Sequence, residues 1–134
     1  MKTISKIALA TILLISFVSC KKEPLTNNFI ANWIKNPISP GGNTYLKITD
    51  NSNFQIGYTV GPNYTKTAEG TYIYTSNQIT FYYTPGPFNP CSNIPGNYQY
   101  KVVDSKFTLS LISDTCIDSI GTPRSTTIAG TWSQ

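Results

Sequence analysis

The side chains best suited to chemistry in this sequence are three cysteines, Cys20, Cys91 and Cys116, because the chain contains no histidine. A thiol can be acylated, oxidised to a disulfide, bound to a metal or used as a nucleophile. The lack of histidine excludes Ser-His-Asp and Cys-His catalytic systems and the common zinc ligand sets. Asp114 and Asp118 are close in sequence, but their polar surroundings favour solvated acids over an acid–base pair. We therefore predict no catalysis, no metal and no cofactor.

Cys20 stands at the end of an export signal. Lys2 and Lys6 precede the apolar run 7–18, which is too short to span a bilayer comfortably, and small Ser19 precedes the cysteine. The segment 17–20 (FVSC) resembles the lipobox of bacterial lipoproteins, although Phe17 stands where leucine is usual. The resemblance implies that Cys20 is acylated and becomes the new N-terminus, anchoring the protein to a membrane. The alternative is an ordinary signal peptide with a chance cysteine.

This signal sets the expected domain organisation. Residues 1–19 are the lipoprotein signal peptide, 20–28 are the lipidated cysteine with a flexible tether, and 29–134 are one domain. Without Lys2 and Lys6 the ten basic residues fall to eight against six acids, a scattered net charge of +2 that argues against nucleic acid. We expect a monomer in the cell envelope, most simply at the outer membrane, facing the periplasm or the cell surface.

Apolar and polar residues alternate with period two through most of the domain, which predicts antiparallel strands with one buried face. Phe54, Ile56 and Tyr58 follow this rule, and Asp104-Ser105 is one of several turn signals between runs. We count seven strands, the last within Ser125 to Trp132, and a possible eighth at Phe29–Ile34. The predicted fold is all-β, and an up-and-down barrel is preferred to a sandwich.

The two remaining cysteines test this prediction. If 96–103 and 106–113 form a hairpin about Asp104-Ser105, Gly96 lies opposite Ser113, and Cys116 falls near Cys91 at one end of the barrel. In an exported chain this proximity favours a disulfide, which would stabilise the fold by ~3.5 kcal/mol in the chain-entropy model. The alternative is two free thiols.

Several short motifs then occur in a fixed order: 69–74 (EGTYIY), 78–81 (QITF), Cys91, 95–100 (PGNYQY), 107–111 (FTLSL), 114–116 (DTC), Arg124 and 130–132 (GTW). Together they resemble the lipocalin-like (calycin) domains of small lipoproteins of the Bacteroidetes type, over roughly residues 69–132. The resemblance implies an eight-stranded barrel closed by Trp33, Arg124 and Trp132, with Arg124 stacked on Trp33. Two features depart from the pattern: Trp33 lacks the usual preceding glycine, and 117–123 separates Cys116 from Arg124. The alternative is that both tryptophans are ordinary core residues.

Two functions fit a lipid-anchored barrel of this kind. The first is binding of a small apolar ligand inside the barrel. The predicted cavity wall consists of Tyr58, Tyr72, Tyr74, Phe81, Tyr83, Tyr98, Tyr100 and Leu109. The second is a packed structural or interaction protein of the envelope, since large inward aromatics fill a core at least as often as they line a cavity. A third class would use exposed aromatics such as Tyr64 and Tyr82 as stacking platforms for oligosaccharide or nucleic acid.

Overall fold

The computed structural model describes residues 28–35, 42–86 and 91–134. The predicted signal peptide 1–19, the predicted lipidation site Cys20 and all but the last residue of the predicted tether 20–28 lie outside the described residues. Within the described part of the chain, no helix is long and apolar enough to cross a membrane.

Eight antiparallel strands follow one another around a closed barrel in chain order, as the sequence predicts. The elements are β1 (Asn32–Lys35), β2 (Thr44–Ile48), β3 (Asn53–Val60), β4 (Asn63–Tyr74), β5 (Gln78–Tyr83), β6 (Gly96–Val103), β7 (Lys106–Ser113), a short helix α1 (Arg124–Ile128) and β8 (Gly130–Ser133). The barrel closes where Ile34 of β1 pairs with Ser133 of β8. The possible eighth strand of the prediction is β1, which confirms the up-and-down topology.

The β6–β7 hairpin shows how local sequence sets the register. Asp104 and Ser105 both have positive φ, 48° and 59°, which matches the twist of a two-residue hairpin turn. The pairs from Val103↔Lys106 to Tyr98↔Leu111 follow the predicted register. A bulge between Asn97 and Tyr98 then shifts the pairing by one residue, so Ser113 lies opposite Asn97 and not opposite Gly96.

The β3–β4 hairpin extends beyond the end of the neighbouring strand β5. The β4–β5 ladder ends at Gly70↔Tyr83, whereas β4 begins seven residues earlier, at Asn63. Tyr58 lies in the part of β3 that pairs with this overhang, and its side chain is 43 % exposed. Its assignment to the cavity wall was therefore wrong: a register shift between Ile56 and Gly57 interrupts the β3–β4 ladder just before Tyr58, and this stretch lies beyond the end of the β4–β5 ladder.

The predicted final strand, Ser125 to Trp132, is only half a strand. Its first half is helix α1, which follows the extended residue Pro123, and the strand begins at Gly130. The ammonium group of Lys35 donates hydrogen bonds to the carbonyls of Thr126, Thr127 and Ala129 at 3.3, 3.2 and 2.6 Å. A cation at a helix C-terminus compensates carbonyls that have no partner within the helix. Lys35 therefore stabilises a helical turn that the threonine-rich sequence does not predict.

The two ends of the barrel differ. The short-turn end carries the connections 49–52, 75–77 and 104–105, together with the chain entry at Asn28 and the C-terminus. The disulfide end carries the β3–β4 turn at 61–62, the β5–β6 connection, and the segment from 114 to helix α1. Each end is closed by a different set of side chains.

Candidate functional site

The predicted cavity wall, apart from Tyr58, lies inside the barrel. Tyr72, Phe81, Tyr83, Tyr98 and Leu109 are buried in one hydrophobic core cluster. Tyr74 and Tyr100 are partly buried and pack against that cluster. Sequence alternation thus correctly assigns seven of the eight residues to the interior, and the remaining question is whether they enclose space or fill it.

A continuous column of aromatic rings runs from one end of the barrel to the other. Phe29 lies 5.8 Å from Tyr72 between ring centroids, Tyr72 lies 6.4 Å from Phe81, and Phe81 lies 5.9 Å from Tyr98. All four side chains are at most 1 % exposed. These separations lie within the range of favourable aromatic contacts, so the rings pack on one another along the axis.

Phe29 closes the short-turn end from inside. Its ring contacts Tyr74, Tyr100 and Phe107 at centroid distances of 4.9, 5.1 and 6.0 Å, in addition to Tyr72. The backbone carbonyl of Phe29 accepts a hydrogen bond of 2.7 Å from the indole nitrogen of Trp33. The sequence places Phe29 at the start of a possible strand, Phe29–Ile34, and does not predict this role; in the structure β1 begins only at Asn32.

At the short-turn end, the hydroxyl groups of two tyrosines donate hydrogen bonds to backbone carbonyls next to the turns. Tyr72 donates to the carbonyl of Thr49 at 2.8 Å, and Tyr100 donates to the carbonyl of Thr75 at 2.9 Å. Desolvation on burial raises the pKa of both tyrosines above its ordinary value. These hydroxyls stabilise two turns and do not project into a ligand space.

A buried ion pair closes the disulfide end. The guanidinium of Arg124 binds Asp114 twice, Nε to Oδ2 at 2.8 Å and Nη2 to Oδ1 at 2.7 Å. Nη2 also donates to the carbonyl of Ile94 at 2.9 Å, while the guanidinium carbon lies 4.6 Å from the ring centre of Tyr83. Within the described residues, Nη1 is buried without a hydrogen-bond partner.

Tyr98 and Gly96 complete this cluster. The hydroxyl of Tyr98 donates to Oδ2 of Asp114. A Cβ atom on Gly96 would lie 2.7 Å from Asp114, 2.8 Å from Arg124 and 3.0 Å from Tyr98, so only glycine fits beside the ion pair. Burial, and then the hydrogen bond to Asp114, raises the pKa of Tyr98. Burial also raises the pKa of Tyr83, and the positive charge of Arg124 opposes that effect.

The Cys91–Cys116 disulfide is present, with a Cα–Cα distance of 5.5 Å, which confirms the sequence prediction. The backbone of Cys116 donates to Oδ1 of Asp114 at 3.0 Å and accepts from the N–H of Arg124 at 3.0 Å. The carbonyl of Cys91 accepts from the N–H of Ile94, whose own carbonyl binds Arg124. The disulfide therefore joins the two loops that hold the ion pair.

The barrel-closing contacts differ from those that the resemblance implies. Arg124 stacks on Tyr83 and not on Trp33, because the inserted loop 117–123 returns the chain to the disulfide end before Arg124. The cation over a tryptophan is Lys35, whose nitrogen lies 5.5 Å from the ring centre of Trp132. Burial lowers the pKa of Lys35. Trp33 and Trp132 are fully buried core residues.

The two carboxylates near the disulfide, Asp114 and Asp118, both accept hydrogen bonds from other parts of the fold. Asp114 binds Arg124, whereas Oδ1 of Asp118 accepts the N–H groups of Ile120 and Thr122 at 3.0 and 2.7 Å. The two carboxylates thus serve separate purposes and do not form an acid–base pair. Among the residues that the structure describes, no three His, Cys, Asp or Glu side chains group as metal ligands would. No family model, curated protein or solved structure matches this chain.

Proposed function

We propose that this chain is an envelope lipoprotein, anchored through Cys20, whose barrel is a packed scaffold for interactions with other molecules and catalyses no reaction. The lipobox-like segment and the order of motifs similar to lipocalin-like lipoproteins support the anchor and its place at the outer membrane. The main observation behind the packed barrel is the column of contacting rings from Phe29 to Tyr98.

An internal ligand would have to displace side chains that are packed against one another inside the barrel. An eight-stranded barrel is only just wide enough to be filled by its side chains or to hold one small ligand. Here twelve large side chains, including both tryptophans, are less than 2 % exposed. Opening space among them would break contacts on all sides, at the cost that cavities impose on cores.

Dye binding distinguishes a packed barrel from a ligand carrier. We expect the purified wild-type domain to show the mass of the polypeptide alone in native mass spectrometry and no saturable binding of an apolar fluorescent dye. Phe81→Ala is the positive control, because removing this fully buried ring should create an apolar void that small apolar molecules enter. A stoichiometric small molecule that copurifies with the wild type would instead establish the ligand-carrier function.

The anchor is tested separately. Radiolabelled palmitate should label the wild type, and the protein should fractionate with membranes. Cys20→Ser should lose both properties, whereas Cys91→Ser should keep the label. Labelling that persists in Cys20→Ser would contradict the lipoprotein assignment.

A further inference from the structure

Both tryptophans are held in the same way, each by the segment that leads into its strand. The indole nitrogen of Trp33 donates to the carbonyl of Phe29 at 2.7 Å, and the indole nitrogen of Trp132 donates to the carbonyl of Ile128 at 3.0 Å. In each case the acceptor residue lies four positions before the tryptophan, and its own side chain is fully buried. Phe29 and Ile128 are therefore equivalent apolar plugs on the two strands that close the barrel.

The segment that carries Ile128 is fixed by several strong contacts. Ile128 is the last residue of helix α1, and Lys35 binds the carbonyls at that end of the helix. Arg124, the first residue of the helix, forms the buried ion pair with Asp114. The N–H of Arg124 also donates to the carbonyl of Cys116, which is held by the disulfide. Moving Ile128 would therefore disturb a helix cap and a buried ion pair together.

The segment that carries Phe29 is held by fewer contacts. This segment, residues 28–31, belongs to no strand, because β1 begins directly after it. Between described residues it forms two hydrogen bonds. The carbonyl of Phe29 accepts from Trp33, and the carbonyl of Ala31 accepts from the N–H of Ile48 at 2.9 Å. Phe29 can therefore leave the barrel by a local opening in which the strand ladders stay intact.

The walls around Phe29 are held in place independently of it. The hydroxyl groups of Tyr72 and Tyr100 donate to carbonyls of the turns, and neither acceptor belongs to the Phe29 segment. Phe107 lies in β7, which is paired with β6 on one side and with β8 on the other. When Phe29 leaves, these rings therefore form the walls of a largely preformed apolar pocket.

The groups that surround Phe29 define the chemistry of a ligand that could replace it. The ring of Phe29 meets Tyr74 and Tyr100 in edge-to-face contacts, at centroid distances of 4.9 and 5.1 Å. This geometry suits another flat aromatic ring. The indole N–H of Trp33 loses its acceptor when Phe29 leaves, and a buried donor without a partner is costly. A ligand that restores both contacts combines a phenyl ring with a carbonyl oxygen, at the spacing found in a phenylalanine residue.

We propose that the short-turn end is a binding site for a phenyl ring with a neighbouring carbonyl oxygen, a site that Phe29 fills in the resting protein and vacates when the ligand binds. The wild type is then packed because it fills its own site. Its apparent affinity for the ligand is reduced in proportion to the fraction of molecules in which the site is vacant. The ligand is either a free aromatic carbonyl compound or a phenylalanine residue of a peptide, and the two are compared below.

Hydrogen exchange in the wild type tests whether the Phe29 segment opens. NMR spectra of the full-length protein in detergent micelles should show one indole N–H signal for each of the two tryptophans. Both indoles are fully buried and bonded to a carbonyl, so Trp132 is a matched control for Trp33. We expect the Trp33 indole to exchange with deuterium at least about tenfold faster. Equal or slower exchange at Trp33 would overturn the proposal.

Titration then tests the ligand. Phe29→Lys should empty the site, because an ammonium group is not buried unpaired among aromatic rings. We expect this variant to bind benzylacetone, which has the ring and the carbonyl at the required spacing, at least about tenfold more tightly than the wild type does. Binding should shift the Trp33 indole signal and leave that of Trp132 unchanged. Butylbenzene, which lacks the oxygen, should bind more weakly.

The source of the ligand and the specificity of the site are read from the same titration. Tighter binding of N-acetylphenylalanine amide than of benzylacetone would identify a peptide as the ligand, and the reverse order a free small molecule. Equal binding of benzylacetone by Phe81→Ala, which opens a void elsewhere in the column of rings, would overturn the proposal. A folded Phe29→Lys that binds no more tightly than the wild type would do the same. Should Phe29→Lys not fold, saturating benzylacetone must still shift the Trp33 signal of the wild type, and an unchanged signal would reject the site.

Discussion

Arg124 and Asp114 form a two-point ion pair in which the aspartate side chain is 0 % exposed and the arginine side chain 5 % exposed. Taking both charges out of water is costly, and their mutual attraction offsets that cost only while each remains paired. Two loops contact the pair, and the Cys91–Cys116 disulfide connects these loops. The ion pair, the disulfide and the closure of this barrel end therefore depend on one another. Mutations at this end should therefore have larger effects than similar mutations on the surface.

Removing one member of the buried pair should be severely destabilising. We expect Arg124→Met to lower the free energy of unfolding by about 3–5 kcal/mol, because Asp114 would be left charged and buried without its cation. Urea denaturation followed by circular dichroism measures the change. The control is Lys66→Ala, which breaks an exposed ion pair with Glu69 and should cost at most ~1 kcal/mol. Equal effects of the two substitutions would contradict a structural role for the buried pair.

Gly96 should not tolerate even one added methyl group. Gly96→Ala would place Cβ within 3.0 Å of Asp114, Arg124 and Tyr98, and we expect a loss of about 1–3 kcal/mol from overpacking. Gly86→Ala is the matched control, since a Cβ there meets nothing within 4 Å. Thermal unfolding of both variants distinguishes steric clash from a general effect of replacing glycine.

Losing the disulfide should lower stability without changing the fold. Replacing Cys91 and Cys116 together by serine is expected to cost ~3.5 kcal/mol, because the unfolded chain regains the freedom of the closed loop. Intact mass after alkylation without reductant should show no added groups on these two residues in the wild-type protein. Two alkyl groups on the folded wild type would show instead that the thiols are free.

Stability should fall in alkaline solution. The pKa values of Tyr83 and Tyr98 are raised above the ordinary value of 10.0, so folding favours their neutral forms. Their contribution is fully present below pH 10 and is lost as the pH rises above it, since the unfolded chain releases these protons first. Tyrosinate absorbance should show fewer than nine tyrosines titrating in the folded protein and all nine in urea. A single titration of all nine in the folded protein would contradict the prediction.

Strand order, barrel closure and the Cys91–Cys116 bridge were predictable from the sequence, because each depends on a local rule. Alternation places Tyr72, Phe81 and Tyr98 inside, and a two-residue turn at Asp104-Ser105 sets the register that brings the cysteines together. Tyr58 shows the limit of that rule. Alternation assigns a side to a residue but does not say where the neighbouring strand ends.

The details of the disulfide end depend on contacts that are distant in sequence. Helix α1 is capped at its C-terminus by Lys35, about ninety residues earlier, and no pattern within 124–128 indicates this partner. The resemblance implied that Arg124 stacks on Trp33. In the structure, which has the inserted loop 117–123, Arg124 stacks on Tyr83 and forms an ion pair with Asp114. One signal was available: the glycine of the Gly96-Asn97-Tyr98 motif marks a place where another group approaches the backbone closely.

The position of Phe29 has a mechanical consequence. This ring is fully buried among Tyr74, Tyr100 and Phe107, and it lies only nine positions after Cys20. In the proposed lipid-anchored form, tension on the chain would reach the core first at Phe29, three residues before β1 begins at Asn32, so this ring would leave the short-turn end before any strand came under load.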